Sequence, residues 1–485
     1  ELFIEDDIEE VKKELLKEFF IELTEDVFNE CLDYLEKNND VVCVEKRIYL
    51  KSYYEKEISI AMNLKKIDSK APKMFYNIDE KLKELEEKLK INYNETQEKA
   101  IKGALNNNIT IISGGPGTGK TTIINAIVKL YIEKEKLGSA DIMETIALLA
   151  PTGRAAKKMN SSTGIPAYTI HRYLKWYKDS NEFVYNEFNK THHILIIVDE
   201  VSMIDVDLFN ALLNGINSNI KLILVGDTFQ LPSVGPGLVL NELIESDYFN
   251  YIPLNQIYRQ SDNSYIPFLA KEIKNNDLSE EFLTKKDDYN FVNVDSSNIK
   301  KAIMQITNYS LSKGLDERNV QVLAPMYKGE AGIDALNVIL QNIYNPSKRN
   351  KEEVIYGDFI YREDDKVLQL VNDLDNNVFN GDIGFIERIT GNKIIIDFDG
   401  NKVEYEKKDL KNIKHAYAIS IHKSQGSEFM HVIMPISTSY YKMLYNKLIY
   451  TGVSRAKKSL TLVGDPTAFQ RAVNNNYSSS RKTSL

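Results

Sequence analysis

Cysteine and long apolar runs are scarce in this chain of 485 residues. Its 2 cysteines, Cys31 and Cys43, have no metal-ligand spacing. So few cysteines are typical of a reduced, intracellular chain. No stretch approaches the roughly 18 apolar residues of a membrane-spanning helix, and no signal peptide is visible. We therefore expect a cytoplasmic protein without a membrane partner.

A net positive charge is also lacking. The chain has 61 Lys and Arg against 70 Asp and Glu, which gives a formal net charge of −9. No global basic field therefore indicates nucleic acid, and any polyanion must bind in a local cleft. The length predicts two to four domains with ample core. Glu1 rather than Met stands first, which leaves open an upstream segment.

The chain is organised around a glycine-rich loop over residues 114–121, whose sequence GGPGTGKT fits G-x-x-x-x-G-K-[ST]. An apolar, β-branched stretch precedes it, and a helical pattern follows. This strand–loop–helix setting predicts that backbone N–H groups and a helix N-terminus bind nucleotide phosphates. Lys120 should reach the β- and γ-phosphates and Thr121 should ligate Mg²⁺, so ATP and Mg²⁺ are the expected cofactors. The expected nucleotide contacts here are Gly115, Pro116, Gly117, Thr118, Gly119, Lys120, Thr121 and Thr122.

From about residue 91 the pattern alternates between apolar strands and helices. Strand candidates cover 109–112, 146–149, 194–198 and 222–225. This alternation predicts a parallel sheet with its ligands at the carboxyl ends of the strands. Asp199 and Glu200 follow one of these strands directly. Asp199 would hold Mg²⁺, and Glu200 would orient and deprotonate the attacking water.

The second half of the chain repeats short segments of the first in the same order. Leu149–Pro151 recurs as Leu323–Pro325, and Leu224–Asp227 recurs as Leu462–Asp465. Chance remains an alternative, but the shared order predicts a second α/β domain without a phosphate loop of its own. Between its two repeats, residues 357–412 form β-rich runs separated by turn signals, which predicts an inserted antiparallel barrel.

Three other regions lie outside the α/β pattern. Residues 1–90 predict helix, helix and hairpin, a winged-helix-like unit that either packs or contacts DNA, followed by a charged, solvated linker helix over 81–90. An aromatic insertion between Arg172 and Lys190 predicts a projecting hairpin. Its Trp176 and Tyr177 form either the hairpin core or a base-stacking tip. The Asn- and Ser-rich end predicts a disordered tail.

The α/β part, from about residue 92 to residue 470, resembles the RecD-like group of superfamily 1 helicases. The resemblance rests on seven motifs in the expected order. They are a Q motif (Asn94–Ala100), motif Ia (Leu149–Met159), motif II (Ile197–Met203), motif III (Leu224–Pro232), motif IV (Ile257–Gln260), motif V (Ala418–Glu428) and motif VI (Tyr450–Lys457).

The resemblance implies further roles in the nucleotide site. Gln97 would read adenine, Gln230 would sense the γ-phosphate, and Glu428 would lie near the ribose. Arg259 and Arg455 would act as arginine fingers that neutralise charge developing on the γ-phosphate.

The resemblance also implies a single-stranded nucleic acid lying across the two α/β domains. Its contacts would be backbone and side-chain groups that grip phosphates without reading sequence. The candidates are Thr152, Arg154, His171, Pro232, His422 and Lys423. The two histidines could instead be packed side chains, and Trp176 and Tyr177 fall where the family has its strand-separating pin.

The implied fold is α/β, with two RecA-like parallel-sheet domains, a pin insertion, an SH3-like β-barrel insertion and an N-terminal helical, winged-helix-like domain. The predicted boundaries are 1–90 for the N-terminal domain and linker, 91–260 for the first RecA-like domain with the pin at 173–190, 261–344 and 413–475 for the second, 345–412 for the barrel, and 476–485 for the tail. Helix-hairpin-helix elements of longer family members are not found in the sequence.

The implied function is an ATP-dependent DNA helicase, a monomer associated with the nucleoid that moves 5′→3′ on single-stranded DNA and unwinds duplexes in recombination or repair. Two alternatives stay open. One is an RNA-directed helicase of the same superfamily, since no residue distinguishes the 2′-OH. The other is a non-catalytic, motor-like subunit of a nuclease complex. No carboxylate cluster of a nuclease is evident.

Overall fold

The computed structural model describes residues 3–5, 24–44, 47–177, 180, 182–255, 264–349, 351–373, 375–441, 443–476 and 485. Two parallel α/β sheets form its main body, which confirms the predicted α/β class. A small antiparallel sheet precedes them, a short hairpin projects from the first, and a barrel-like sheet is inserted in the second.

The N-terminal sheet has the strand order β1-β3-β2. Its strands are β1 (Phe3–Glu5), β2 (Val41–Val44) and β3 (Arg47–Leu50). The helix Glu25–Lys37 precedes the β2–β3 hairpin, in the predicted order. The first helix predicted by the sequence lies outside the described residues.

Two further helices connect this sheet to the first α/β unit. Helix Lys51–Asp68 buries Ile60, Leu64 and Ile67 in the core of that unit. Helix Ile78–Leu89 buries one apolar face in the same unit. The interpretation of the second helix as a solvated linker is therefore wrong, because only its charged face is left for solvent. The boundary at residue 90 stays a prediction.

The first α/β unit is built on a six-stranded sheet of order β11-β4-β10-β9-β5-β6, in which all pairs are parallel. The strands of this region, with the projecting hairpin β7–β8, are β4 (Ile109–Gly114), β5 (Ile146–Ala150), β6 (Ala167–Thr169), β7 (Trp176–Tyr177), β8 (Glu182–Phe183), β9 (Leu195–Val198), β10 (Lys221–Gly226) and β11 (Asn250–Leu254). All residues of β4, β5, β9 and β10 are buried, which explains why these strands read as continuous apolar runs.

Helices cover both faces of this sheet. They are Glu95–Asn106, Lys120–Glu135, Ser139–Thr145, Gly153–Thr163, Ile170–Tyr173, Val206–Gly215 and Val239–Glu245. The four strands predicted from the sequence are confirmed, and the sheet adds β6 and β11 at its edges.

The second α/β unit has a five-stranded parallel sheet of order β12-β23-β22-β13-β21. Its strands are β12 (Tyr289–Asn293), β13 (Val320–Ala324), β21 (Ala418–Ser420), β22 (Phe429–Ile436) and β23 (Ala456–Gly464), once the inserted strands β14–β20 are counted. Its helices are Tyr265–Asn275, Ile299–Ser312, Ile333–Tyr344, Asn446–Val453 and Pro466–Asn474. The predicted tail falls largely at residues outside the described part, but Leu485 packs against the core of the first unit.

The insertion lies between helix Ile333–Tyr344 and β21. Its strands are β14 (Glu353–Tyr356), β15 (Phe359–Arg362), β16 (Lys366–Gln369), β17 (Ile383–Thr390), β18 (Lys393–Phe398), β19 (Asn401–Glu406) and β20 (Ile413–His415). The last five form an antiparallel sheet of order β19-β18-β17-β16-β20 around a core of their own. Asp399 and Gly400 both have positive φ in the β18–β19 turn, as a tight two-residue hairpin requires. The predicted barrel insertion is confirmed.

Within the described part of the chain, no helix is both apolar enough and long enough to span a membrane.

Candidate nucleotide and nucleic-acid sites

The glycine-rich loop connects β4, inside the first sheet, to helix Lys120–Glu135. Gly117 and Gly119 have φ values of 76° and 86°, a backbone conformation that favours glycine. A Cβ added to Gly119 would lie 2.4 Å from Nε2 of Gln97, so a side chain there would also collide. The loop thus has the backbone geometry of a phosphate cradle at a helix N-terminus.

Lys120 begins that helix and folds back over the loop. Its Nζ donates to the carbonyl oxygens of Gly114 at 2.6 Å and Gly115 at 2.9 Å. The ammonium group therefore lies directly above the loop, where phosphate oxygens could replace these carbonyls as acceptors. Thr121 and Thr122 follow in the first turn of the helix.

Gln97 supports the loop from behind. It caps its own helix, accepting from the Asn94 backbone N–H at 3.1 Å, and its Nε2 donates to the Thr118 carbonyl at 3.1 Å. Its predicted contact with adenine stays a prediction. The structure adds a contact that the sequence did not indicate, because Gln97 holds the loop in place.

Asp199 and Glu200 follow β9 at the same edge of the sheet. The Glu200 backbone N–H donates to Asp199 Oδ1 at 2.8 Å, and Glu200 has a left-handed φ of 54°. Such a conformation costs a non-glycine residue of order 1–3 kcal/mol and is often found at functional sites. Burial and the adjacent Glu200 charge raise the pKa of Asp199, while nearby Lys120 lowers it.

Three buried polar atoms at this edge have no hydrogen-bond partner in the described part of the chain. Among the described residues, no hydrogen-bond partner is found for Oε2 of Glu200, Oγ of Ser202 or Oε1 of Gln230. Buried polar groups are normally satisfied, so these atoms indicate an absent water or ligand. With Thr121 and Asp199 nearby, the oxygen donors fit a Mg²⁺ ion held together with nucleotide phosphates and water. The described residues include no metal site made of three or more protein ligands.

Gln230 belongs to the turn after β10. Its Nε2 donates to Oδ2 of Asp227 at 3.3 Å, and the Phe229 backbone N–H donates to Oδ1 of Asp227 at 3.1 Å. The Tyr450 hydroxyl, from the second unit, donates to the same Oδ2 at 2.9 Å. Asp227 and Tyr450 were not among the predicted site residues.

Further contacts between the units hold the same turn. The Leu231 backbone N–H donates to Oγ1 of Thr451 at 3.0 Å, and Nε2 of Gln425 donates to the Leu231 carbonyl at 2.9 Å. The motif V and motif VI segments therefore both form hydrogen bonds with the turn that carries Gln230. Thr451 and Gln425 were also missed by the sequence reasoning, although both lie within motifs it identified.

A cleft of about 250 Å³ opens beside the phosphate loop. It is lined by the loop, by the end of β11, by helix Tyr265–Asn275 and by Tyr450. The lining residues are Gly115, Pro116, Thr118, Leu254, Asn255, Pro267, Ala270, Lys271, Lys274, Asn275 and Tyr450. This cleft is the candidate site for the nucleoside part of ATP.

The two predicted arginine fingers differ in what the structure shows. Arg259 lies outside the described residues. Arg455 is buried in the second unit, where its guanidinium donates to the carbonyls of Thr451 and Ser427 at 3.2 Å and to Oγ of Ser454 at 3.0 Å. In this arrangement Arg455 is bound within its own unit.

Glu428 does not line the cleft beside the phosphate loop. It accepts from Lys158 of the first unit at 2.8 Å and pairs with Lys457 at 3.1 Å. Burial opposes ionisation of Glu428, but the two lysines hold its pKa down at about 2. Its predicted place near the ribose stays a prediction, and the structure shows an ion pair between the units.

Several predicted DNA contacts meet beneath one loop of the barrel. Lys423 Nζ donates to Oδ1 of Asn380 at 2.7 Å, and a Cβ on Gly153 would strike the ring of Phe379 at 2.6 Å. Thr152 caps helix Gly153–Thr163, and a Cβ on Gly426 would lie 2.9 Å from its Oγ1. Arg154 donates to Oγ of Ser427 at 2.7 Å. The structure thus brings Thr152, Arg154 and Lys423 together.

The other three predicted contacts have different surroundings. His422 is half-buried, and burial lowers its pKa. Pro232 lies in the turn after Leu231 and is half-buried. His171 packs against the hairpin, with ring centres 6.1 Å from Trp176 and 5.9 Å from Phe183, and burial lowers its pKa as well. Both imidazoles are therefore neutral at neutral pH.

A basic cleft of about 590 Å³ lies between the two units and the barrel. Its cationic lining residues are Arg154, Lys157, Lys158, Arg318 and Lys457, against the acidic Asp399 and Glu428, while burial lowers the pKa of the sixth basic residue, Lys366, to about 7. Because the chain as a whole is acidic, a polyanion must bind at a local cationic surface, and this cleft provides one. In the sequence, the adjacent Lys157 and Lys158 after Arg154 could have indicated this basic cleft.

The hairpin pairs Trp176 with Phe183 and Tyr177 with Glu182. The rings of Trp176 and Phe183 lie 4.6 Å apart, so Trp176 forms part of the hairpin's own core. Tyr177 is 63% exposed. Of the two predicted strand-separating residues, Tyr177 is the one presented to solvent.

Three protein-family models match the chain. Residues 97–236 match an AAA domain, residues 336–398 match the SH3 domain of ATP-dependent RecD-like DNA helicases, and residues 415–463 match the C-terminal domain of UvrD-like helicases. These segments fall within the first α/β unit, the barrel with its preceding helix, and the later part of the second unit.

Two curated proteins illustrate the similarity over longer stretches. The chain is 33% identical over 364 residues to the ATP-dependent RecD2 DNA helicase of Deinococcus radiodurans, covering 75% of the chain and 48% of that protein. It is 30% identical over 448 residues to the RecBCD enzyme subunit RecD of Buchnera aphidicola subsp. Acyrthosiphon pisum, covering 78% of the chain and 73% of that protein. The chain thus spans about half the length of the first relative.

Among solved structures, the chain is similar to Bacteroides Pif1 bound to ssDNA, with 18% identity and a TM-score of 0.47. The match covers 79% of this chain and 94% of that one.

Proposed function

The chain belongs to the RecD-like family of superfamily 1 helicases, and we propose that it is an ATP-driven motor that moves 5′→3′ on single-stranded DNA and unwinds duplex DNA. We place this activity in recombination or repair. The observation that carries the proposal is the set of partnerless catalytic-type oxygens, on Glu200 and Gln230, at the edge of the sheet that also bears the phosphate loop. In a site that had lost its activity, substitutions that give these buried atoms hydrogen-bond partners would stabilise the fold.

Hydrolysis would use groups of the first unit. Lys120 exchanges its two backbone carbonyls for phosphate oxygens and neutralises developing charge. Glu200 orients a water through its partnerless Oε2 and accepts its proton. Thr121 and Asp199 would hold Mg²⁺, which would supply further neutralisation of the β- and γ-phosphates. Gln230 would contact the γ-phosphate, and Gln97 and Glu428 keep their predicted nucleoside contacts.

The second unit would complete the site when it closes on the first. Arg455 would have to leave the carbonyls of Thr451 and Ser427 to reach the γ-phosphate. Arg259 stays a predicted finger. Because both would contact charge that develops mainly in the transition state, their loss should reduce turnover more than nucleotide affinity.

Single-stranded DNA would run across both units beneath the barrel loop, on the surface that carries Thr152, Arg154, His171, Pro232, His422 and Lys423. Amide and hydroxyl oxygens now accept from Lys423 and Arg154, and phosphate oxygens could take their places. The adjacent basic cleft adds long-range attraction for the same strand. Tyr177 on the hairpin would meet the first base pair of the duplex.

The polarity test uses duplexes with a single-stranded tail at one end only. We expect ATP-dependent unwinding when the tail is 5′ and little unwinding when it is 3′. Lys120→Ala serves as the motor-dead control. Unwinding of 3′-tailed duplexes alone would contradict the proposed direction, and absence of both ATPase and unwinding would contradict the motor itself.

ATPase measurements on the wild-type protein also test the two alternative functions. For an RNA-directed helicase, the ATPase would be stimulated more by single-stranded RNA than by single-stranded DNA of the same sequence. For a non-catalytic subunit, no nucleic acid would stimulate turnover. Some relatives are named as subunits of the RecBCD enzyme. We propose a monomer, which sedimentation with and without tailed DNA would check.

A further inference from the structure

Tyr450 crosses from the second unit into the nucleotide site of the first. It lies on helix Asn446–Val453 and is 2% exposed. Its hydroxyl donates to Oδ2 of Asp227 at 2.9 Å, and its ring meets that of Phe229 edge-on with centres 4.9 Å apart. A Cβ on Gly115 would lie 2.9 Å from this hydroxyl. The tyrosine is therefore in contact with the phosphate loop and with the turn that carries Gln230.

The acceptor of this hydrogen bond is shared. Oδ2 of Asp227 also accepts from Nε2 of Gln230, at the longer distance of 3.3 Å. The other oxygen, Oδ1, accepts from the Phe229 backbone N–H. The Gln230 amide and the Tyr450 hydroxyl thus share one oxygen of a buried carboxylate, and hydrogen bonds to a charged acceptor are the stronger ones.

We propose that Tyr450 is a positioning residue for ATP hydrolysis, which shares the acceptor oxygen of Asp227 and thereby weakens its hold on Gln230, so that the amide can turn to the γ-phosphate when the second unit is in place. When the units separate, Tyr450 withdraws and Asp227 keeps Gln230 as its one side-chain donor among the described contacts. The amide is then held away from the nucleotide. The position of the second unit therefore determines whether the Gln230 amide can reach the γ-phosphate.

Three further observations support this role. Thr451, the next residue, accepts from the Leu231 backbone N–H, so the same helix holds both ends of the Gln230 turn. Burial and the Asp227 charge raise the pKa of Tyr450 well above its usual value, so the hydroxyl remains a donor throughout the working pH range. Oε1 of Gln230 has no partner in the described structure, so this oxygen is free to accept from a water molecule.

This inference rests on the proposed ATPase, so the test compares active variants. Tyr450→Phe removes the hydroxyl alone. Tyr440→Phe is the matched control, because Tyr440 is equally buried in the second unit and its hydroxyl donates to the Ala331 carbonyl at 2.6 Å without contacting the first unit. The measurements are kcat and KM for ATP at saturating single-stranded DNA, with the thermal midpoint of each variant.

We expect Tyr450→Phe to lower kcat about 10-fold or more, as for loss of a hydrogen bond to a charged group, while KM changes less than about 3-fold. Tyr440→Phe should keep wild-type kcat. Equal kcat losses in both variants, or none in Tyr450→Phe, would overturn the inference while the ATPase itself stands. An inactive wild-type protein would instead refute the proposed function.

A double-mutant cycle with Asp227→Asn tests the mechanism. The asparagine in this variant carries no charge and holds the Gln230 amide weakly, so Tyr450→Phe should cost less than about 3-fold in that background. The same cost in both backgrounds would overturn the inference. Complete loss of turnover in Asp227→Asn alone would also overturn it, because Asp227 would then act on the nucleotide directly.

Discussion

The two parallel sheets share the order of five strands, yet one carries the candidate nucleotide site and the other does not. The repeated segments end β5 and β10 in the first sheet and β13 and β23 in the second. In each sheet one strand separates them, β9 in the first and β22 in the second. By this correspondence β4 matches β12, and the phosphate loop matches the turn over residues 294–298. The prediction of a second, similar domain from two short repeats is confirmed at the level of strand order.

The matching positions hold different chemistry. Asp199 and Glu200 follow β9, whereas Ser437 and Thr438 follow β22. In the second unit, Ser437 donates to Oγ of Ser296, in the turn after β12, at 3.0 Å. Hydroxyl groups thus fill the edge of this sheet and satisfy each other. In the first unit the same edge holds a strained Glu200 and partnerless oxygens, which indicates that its polar groups are kept for a ligand.

The largest effect should come from removing the lysine of the phosphate loop. We expect Lys120→Ala to reduce single-strand-stimulated ATPase by about 10²–10³-fold, since it removes charge compensation in the transition state. Lys300→Ala is the matched control, because Lys300 is exposed in the first turn of the corresponding helix of the second unit. Near wild-type turnover in Lys120→Ala, or an equal loss in Lys300→Ala, would remove the functional difference between the sheets.

The second prediction concerns buried carboxylates in the two units. We expect Glu200→Gln to lower kcat about 10²-fold and to raise the free energy of unfolding by about 1 kcal/mol, because it removes repulsion with Asp199 and a partnerless charge. Glu272→Gln should instead lower the free energy of unfolding and leave kcat unchanged. Glu272 accepts from the Tyr265 hydroxyl at 3.3 Å and from the Ser279 backbone N–H at 3.1 Å, so this variant loses stability and keeps kcat.

Chemical denaturation and steady-state ATPase measure both variants. A Glu200→Gln protein that is less stable than wild type would show that Glu200 serves the fold. Full turnover in the same protein would exclude Glu200 as the base.

Some features of the two units could be predicted from the sequence, and others could not. The sequence predicted the phosphate loop, four strands of the first unit, the repeated segments of the second unit and the barrel, because each shows as a local pattern, while the roles of Asp199 and Glu200 stay predictions. It missed the Tyr450–Asp227 and Lys158–Glu428 contacts, since partners more than 200 positions apart meet only after both units pack. Gln97 was predicted from its motif, but its contact with Thr118 depends on the folded loop. The linker prediction failed because the charges of helix Ile78–Leu89 outweighed its apolar face.

The third prediction compares two exposed tyrosines. Tyr177 on the hairpin is 63% exposed and Tyr309 on a helix of the second unit is 65% exposed. Stacking on a base contributes about 1–3 kcal/mol, so Tyr177→Ala should slow unwinding of 5′-tailed duplexes about 5-fold or more while ATPase is unchanged. Tyr309→Ala should alter neither rate. Equal unwinding rates for Tyr177→Ala and wild type would exclude Tyr177 from strand separation.

The smallest expected effect is that of replacing Asp465, which ends a repeated segment in the second unit as Asp227 does in the first. Asp227 binds Gln230 and Tyr450, whereas Asp465 caps helix Pro466–Asn474, accepting from the Thr467 backbone N–H and hydroxyl at 2.8 Å each. Loss of such a cap costs about 1 kcal/mol. Asp465→Ala should therefore lower the thermal midpoint slightly and leave kcat, KM and unwinding at wild-type values. A fall in kcat with no change in the thermal midpoint would mean that the second edge also takes part in catalysis, and the division of roles between the sheets would be wrong.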